Sequence, residues 1–308
     1  MSILFTFPGQ GSQRAGMLHA LPDDVAVAAT LDETASVLGL DPLTLDTEAA
    51  LASTRAVQLC LLIAGVAMAR SLAVQGGEPD MVAGFSIGEY PAAVVAGALD
   101  YADALRLVAL RGQLMQQAYP SGYGMAAIVG LEHAPLAALV AQVHSDVHPV
   151  YIANLNARRQ IVIAGSDHAL QQVMALALQH GASKVQRLAV SVPSHCPLFG
   201  AQAQEMEAVF AQVSVRRPVL AYLSSSAARS LSDPDRIRDS LASNMARQVN
   251  WADTVRLAWE RGARLALEMP SGSVLTRLTA PELADGLAIS CEGQRSASLL
   301  AMLAQAKP

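Results

Sequence analysis

The sequence predicts an α/β fold, with a main domain built on a parallel sheet and interrupted by a small α/β insertion. Three observations support this. Short apolar runs closed by glycine or proline alternate with longer stretches that carry apolar residues at helical spacing. One internal segment runs in the order β-α-β-β-α-β. The composition is 52% hydrophobic and only 15% charged, against a usual charged share of about 25%, which calls for a large buried core.

The elements follow in order. Residues 3–7 are an apolar run ended by Pro8 and Gly9, a buried strand followed by a loop. Alanine-rich helical patterns dominate residues 25–72. Residues 81–83 form a second apolar run, then Gly84, then a helix-like stretch over 87–95. Residues 102–118 have helical spacing, with Arg106 and Arg111 among them. Strands are then predicted at 125–129, 150–153, 160–164 and 184–190, with helices at 134–143 and 169–180. That order is the split βαβ, ferredoxin-like unit. Residues 219–223 and 264–268 read as further short strands. The expected domains are therefore a core of residues 1–123 with 191–308 and an insertion of residues 124–190.

Composition excludes several classes. A chain of 308 residues with this hydrophobicity is not disordered. Aromatic residues are 4%, so the core must be built from Ala, Leu and Val, and a platform for stacking bases is not expected. The net charge is −5 and no basic stripe is present, so no nucleic-acid partner is expected. All but Lys184 and Lys307 of the 21 basic residues are arginines. The most apolar stretch, residues 56–69, is bounded by Arg55 and Arg70 and interrupted by Gln58. It is shorter than the ~20 residues of a membrane span and reads as a buried helix, so no membrane association is expected. The N-terminus lacks a basic region and does not read as a secretion signal. Cys60, Cys196 and Cys291 are far apart, which points to a reduced cytoplasm and to no metal site.

The strongest local signal is Gly84-Phe85-Ser86-Ile87-Gly88, which fits G-x-S-x-G between a strand and a helix. The turn is tight, so its flanks must be small. Ser86 sits at the tip, and the helix start beyond it offers free N–H groups to a developing oxyanion. The plainer reading is a glycine-rich turn capped by Ser86. A serine nucleophile needs a base. Of the seven histidines, His195 stands apart, between Pro193 and Pro197 just after an apolar strand. An α/β-hydrolase would run Ser, acid, then a late His. Here Glu268 follows a strand but comes after His195, so a backbone carbonyl is the expected partner of the imidazole.

These residues, with Phe7-Pro8-Gly9-Gln10-Gly11-Ser12-Gln13, Arg111-Gly112, Pro193-Ser194-His195 and the strand from Gln160, resemble the malonyl-CoA:acyl carrier protein transacylase family. The resemblance runs from about residue 3 to residue 280. It implies a hydrolase-like α/β core with a ferredoxin-like insertion. It implies Ser86 as nucleophile, His195 as base, and the N–H groups of Gln10 and Ile87 as oxyanion hole. Arg111 would hold a malonyl carboxylate, with Gln58, Met115, Asn156 and Gln160 also lining the substrate site. The carbonyl of Asn250 would orient the histidine. Malonyl-CoA would be substrate, no cofactor would be permanently bound, and coenzyme A and an acyl carrier protein would be partners. The family usually has His where Phe85 stands. That departure, the Phe5-Thr6-Phe7 opening and Arg158-Arg159 resemble the transacylase subunit of malonate decarboxylase, whose carrier subunit bears a phosphoribosyl-dephospho-CoA arm. Alternatives are a malonyltransferase of fatty-acid or polyketide synthesis and, more distantly, a serine (thio)esterase. The arginines and Lys184 of the insertion, with Arg216 and Arg217, are expected to face the coenzyme tail or the carrier.

Overall fold

The computed structural model describes residues 1–306; Lys307 lies outside them. The strands are β1 (Ser2–Phe7), β2 (Met81–Gly84), β3 (Tyr123–Val129), β4 (Val150–Ala157), β5 (Gln160–Ser166), β6 (Lys184–Arg187), β7 (Ala221–Ser224), β8 (Arg229–Leu231), β9 (Val249–Asn250), β10 (Ala263–Glu268) and β11 (Leu287–Ser290). The α-helices are α1 (Val25–Leu38), α2 (Thr54–Ala73), α3 (Glu89–Val95), α4 (Tyr101–Ala118), α5 (His133–Val143), α6 (Asp167–Gln179), α7 (Gly200–Phe210), α8 (Pro234–Ser243), α9 (Trp251–Glu260), α10 (Val274–Thr279) and α11 (Ser296–Ala306).

The main sheet has the order β11-β10-β1-β2-β7-β8. Its pairings are parallel except β7 with β8. Helices cover both faces, so β1 from Ile3 and all of β2 are buried and read as apolar runs, broken only by Thr6, rather than alternating ones. This is a hydrolase-like core joined to a small subdomain. Helix α2 runs through the middle of it, packed on α1 and α4. It is long and apolar enough to cross a bilayer, but 89% of its apolar window is buried inside the fold, as in a core helix.

The second sheet has the order β6-β3-β5-β4-β9, antiparallel apart from β4 with β9. Helices α5 and α6 pack on one face around Leu136, Ile161, Ile163 and Leu170. Strand β9 comes from outside residues 124–190 and pairs Val249 with Asn154 and Asn250 with Leu155. The two sheets are thus stitched together by a segment of the main domain. Several predicted elements differ in extent, among them the strand predicted at 150–153, which runs over Val150–Ala157. Strand β6 ends at Arg187, and residues 188–190 leave the sheet to line a cleft. Val219 is 83% exposed in a loop, and β7 begins at Ala221. The helix predicted from residue 87 is a single 3-10 turn, Ser86–Gly88, followed by α3.

That turn explains the glycines. A β-carbon on Gly84 would lie 2.1 Å from the Glu89 nitrogen, and one on Gly88 would lie 2.0 Å from the Phe7 carbonyl oxygen. Strand end, nucleophile turn and helix start approach too closely for any side chain. Gly88→Ala should therefore destabilise the fold by about 3 kcal/mol or more. Gly200→Ala, at an open helix start with nothing within 4 Å, should stay within about 1 kcal/mol of wild type. Urea unfolding of the two variants checks the contrast.

Candidate active site

Ser86 sits at the tip of the turn with φ 58°, and His195 sits opposite with φ 65°. Left-handed backbone in a non-glycine residue costs on the order of 1–3 kcal/mol and persists only when the surroundings enforce it. For His195 the enforcement is visible. Its N–H donates to the Met245 carbonyl at 2.7 Å, and its Nδ1 faces the carbonyls of Asn244 at 2.8 Å and Arg247 at 3.1 Å. Two carbonyls are acceptors only, so Nδ1 carries the proton. Nε2 is left with its lone pair, 2.8 Å from the Ser86 Oγ, and the Ser86 hydroxyl donates to it. That is a nucleophile paired with a base whose tautomer is set from behind.

The orienting carbonyl expected at Asn250 comes instead from Asn244 and Arg247. A 3-10 turn, Asn244–Ala246, brings these carbonyls against the histidine loop. Asn250 lies at the start of α9, where its carbonyl accepts from the Thr254 hydroxyl at 2.8 Å. Glu268, the late acid, is also engaged elsewhere. Its carboxylate accepts from the N–H groups of Leu275 and Thr276 and caps the start of α10.

Arg111, on α4, is fully buried. Its nearest partners are neutral: Gln58 Oε1 at 2.7 Å from Nη1, Asn244 Oδ1 at 3.0 Å from Nη2, and Ser86 Oγ at 3.4 Å from Nη2. Gln58 in turn donates to the Met115 sulfur at 3.3 Å. The ring of Tyr90 lies 6.0 Å from the guanidinium. The fold thus assembles Ser86, His195, Arg111, Gln58 and Met115 from four separate segments. Burial, and then the charge of Arg111, pull the His195 imidazole down from 6.5 to about 4. The base is neutral and competent across the whole physiological range.

A cleft of about 490 Å³ opens over Ser86, between the two sheets. Gln10 and Ile87 line it beside the serine. Ile87 is in the first turn of a helix, where backbone N–H groups have no partner within the helix. The far wall is β4 and β5, with Asn154, Asn156 and Gln160 facing in. The Oδ1 atoms of Asn154 and Asn156 are buried without a hydrogen-bond partner among the described residues. Residues two apart on a strand share a face, so Asn154 could have been read from Asn156. Phe85 lines the cleft as well, its ring edge-on to Trp251 at 5.6 Å.

None of the basic residues expected to face the coenzyme tail or the carrier lines the cleft. Arg158 pairs with Glu132 at 3.1 Å, Arg159 with the Gly130 carbonyl, and Arg187 with Asp167 at 2.5 Å. Arg216 pairs with Asp100 at 2.5 Å. Each is held by a local acid or carbonyl. Among the described residues the cation that lines the cleft is Arg277, on α10.

A sequence profile described as the acyl transferase domain matches residues 4–301. The chain belongs to that family. It is similar to the malonyl CoA-acyl carrier protein transacylase of Escherichia coli K12, with 36% identity over 304 residues, 97% of this chain and 98% of that one. The protein of the same name from Bacillus subtilis is 33% identical over 90% of this chain and 89% of its own. The crystal structure of FabD from Acinetobacter baumannii superposes with a TM-score of 0.93 at 35% identity, covering 99% of both chains. A solved complex of a type II polyketide acyl carrier protein with its malonyl-transacylase gives 0.92 at 34% identity, covering 99% of this chain and 100% of that one. The protein is therefore an acyltransferase.

The lowered histidine makes a pH prediction for this acyltransferase. The acid limb of Ser86 acylation should fall near pH 4 rather than near 6.5. Arg111→Gln should move it upward, because one of the two causes is removed. Between about 6.5 and 4 the unfolded chain binds a proton that folded His195 refuses, so this group also makes stability fall as pH falls through that window. The pH dependence of acyl-enzyme formation in both proteins checks the kinetic part.

Proposed function

We propose that the chain moves a malonyl group from malonyl-CoA to the thiol of an acyl carrier protein, through a malonyl ester on Ser86. The observation that carries this is Arg111. It is a buried cation with only neutral hydrogen-bond partners, 3.4 Å from the nucleophilic hydroxyl. No carboxylate hydrogen-bonds to this charge, Glu89 acting on it only at a distance, and a carboxylate at the far end of a short acyl chain supplies that partner.

In the proposed reaction Ser86 Oγ attacks the thioester carbonyl while His195 Nε2 takes its proton. The N–H groups of Ile87 and Gln10 receive the oxyanion. Collapse of the intermediate breaks the C–S bond, and coenzyme A leaves with the proton returned by His195. The carrier thiol then gives its proton to His195 and attacks the ester, and Ser86 leaves with that proton. The amide oxygens of Asn154 and Asn156 accept from N–H groups of the thioester-bearing arm. Side chains carry every proton and backbone N–H groups hold the developing charge in this cycle, so it needs no resident cofactor; the free Cys60, Cys196 and Cys291 support the cytoplasm as its proposed setting.

For the acceptor, the names of the similar proteins support a carrier of fatty-acid or polyketide synthesis over that of malonate decarboxylase. Phe85, edge-on to Trp251, remains the observation favouring the decarboxylase carrier. Transfer rates to a phosphopantetheine carrier and to a phosphoribosyl-dephospho-CoA carrier decide between them, and the first is expected to be faster.

Incubation with malonyl-CoA should add a single malonyl group to Ser86 by intact mass, and none to Ser86→Ala. An unchanged adduct in Ser86→Ala would remove the proposal. Loss of thioester in plain buffer outpacing transfer to a thiol would make the chain a thioesterase instead. Arg111→Ala should lower malonyl loading by roughly 10- to 150-fold, the equivalent of a lost charged hydrogen bond, while acetyl loading falls less or rises.

A further inference from the structure

A single residue touches all three reacting groups. Asn244 Oδ1 accepts from Arg111 Nε at 3.2 Å and from Nη2 at 3.0 Å. Its Nδ2 donates to the backbone carbonyl of Ser86 at 3.0 Å. Its own carbonyl accepts from His195 Nδ1 at 2.8 Å. The residue is buried, at the first position of the turn between α8 and β9. We infer that the Asn244 side chain is the positioning residue that aims Arg111 at an acyl carboxylate beside Ser86, and so sets the choice of dicarboxylic over uncharged acyl groups. The inference rests on the malonyl-transfer reading above.

Counting donors supports it. A guanidinium has five N–H groups. Asn244 takes the one on Nε and one on Nη2, and Gln58 takes one on Nη1. One hydrogen on Nη1 remains free, and the second on Nη2 makes only the long 3.4 Å contact with Ser86 Oγ. A carboxylate that displaces this contact is accepted side by side on the two terminal nitrogens. The same contact places them next to the nucleophile. Without Asn244 the Nε edge would be an equally good docking face, and the carboxylate could settle away from the reacting carbon.

The amide is also the right chemical type. Its oxygen accepts two hydrogens without cancelling the charge of Arg111. A carboxylate at the same place would satisfy the arginine before substrate arrives. It would also bring an oxygen, instead of an N–H, against the carbonyl of Ser86.

The test is Asn244→Asp, which keeps size and the backbone carbonyl that holds His195. Malonyl-CoA loading of Ser86 should fall by about 100-fold, and acetyl-CoA loading by less than about tenfold. The acid limb of acetyl loading should rise from about 4, because a carboxylate joins the surroundings of the imidazole. Asn244→Gln, which retains an amide, should recover part of the malonyl preference. Thermal unfolding verifies that each variant folds. Should Asn244→Asp not fold, Asn244→Ser removes the amide without adding charge, and its malonyl-to-acetyl ratio should fall by roughly tenfold. An unchanged ratio in a folded variant, with both acyl groups losing equally, would overturn the inference and make Asn244 structural. Failure of the parent reading shows in the wild-type chain as a missing malonyl adduct. Failure of this inference shows only in the ratio between variant and wild type.

Discussion

A buried arginine held by neutral groups is the constraint around which this site is built. Taking a cation out of water costs several kcal/mol unless an anion accompanies it. Here the oxygens of Gln58 and Asn244 and the face of Tyr90 carry that load. The buried acid Glu89 acts on Arg111 through its charge, but its carboxylate is occupied. It accepts from the backbone N–H groups of Ser225 and Ser226 and from the hydroxyls of Ser225 and Tyr222. Arg111 therefore feels the charge of Glu89 without a hydrogen bond to it, and keeps a free hydrogen on Nη1 and a weakly held one on Nη2. The charge of Arg111 also acts on the base, since it helps hold His195 neutral. Binding of an anionic acyl group and readiness of the nucleophile are thus linked through one guanidinium.

The rest of the core fixes that geometry. The network around Glu89 fastens the helix after the nucleophile to the end of β7 and, through Ser240, to α8. Helix α8 leads directly into the turn that carries Asn244, Met245 and Arg247. All three of those residues contact His195 through their carbonyls. Serine, histidine and arginine are positioned by packed segments that share hydrogen bonds, and two of them are held in left-handed backbone. The second sheet then closes the cleft with an amide-bearing wall, tied to the first through β9.

Much of this was legible in the chain. The glycines of Gly84-Phe85-Ser86-Ile87-Gly88 are local requirements, set by a close backbone approach of a few residues, so spacing alone exposed them. Buried parallel strands are continuous apolar runs, so β1, β2 and β10 were readable as well. Less was legible where partners come from distant segments. Arg111 was marked by the family resemblance alone, since by spacing it is a helical arginine whose only peculiarity is the lack of an acid at i±3 or i±4. Asn244 carried no signal at all, and the histidine's carbonyl partner was expected a few residues away, at Asn250. The arginines of the insertion looked like a patch, and each turned out to be held by its own acid or carbonyl.

By itself the sequence determined the α/β order, the nucleophile turn and the candidate histidine, because these depend on interactions between residues close in the chain or on periodic burial. Only the tertiary structure decided that the arginine is buried beside the serine with no carboxylate hydrogen-bonded to it. Only it decided which carbonyls hold the imidazole, and that one asparagine joins all three groups. Those facts depend on where segments such as α2, α4 and the turn after α8 meet in space. Burial, which sets the strength of every charge in the site, exists only once they have met.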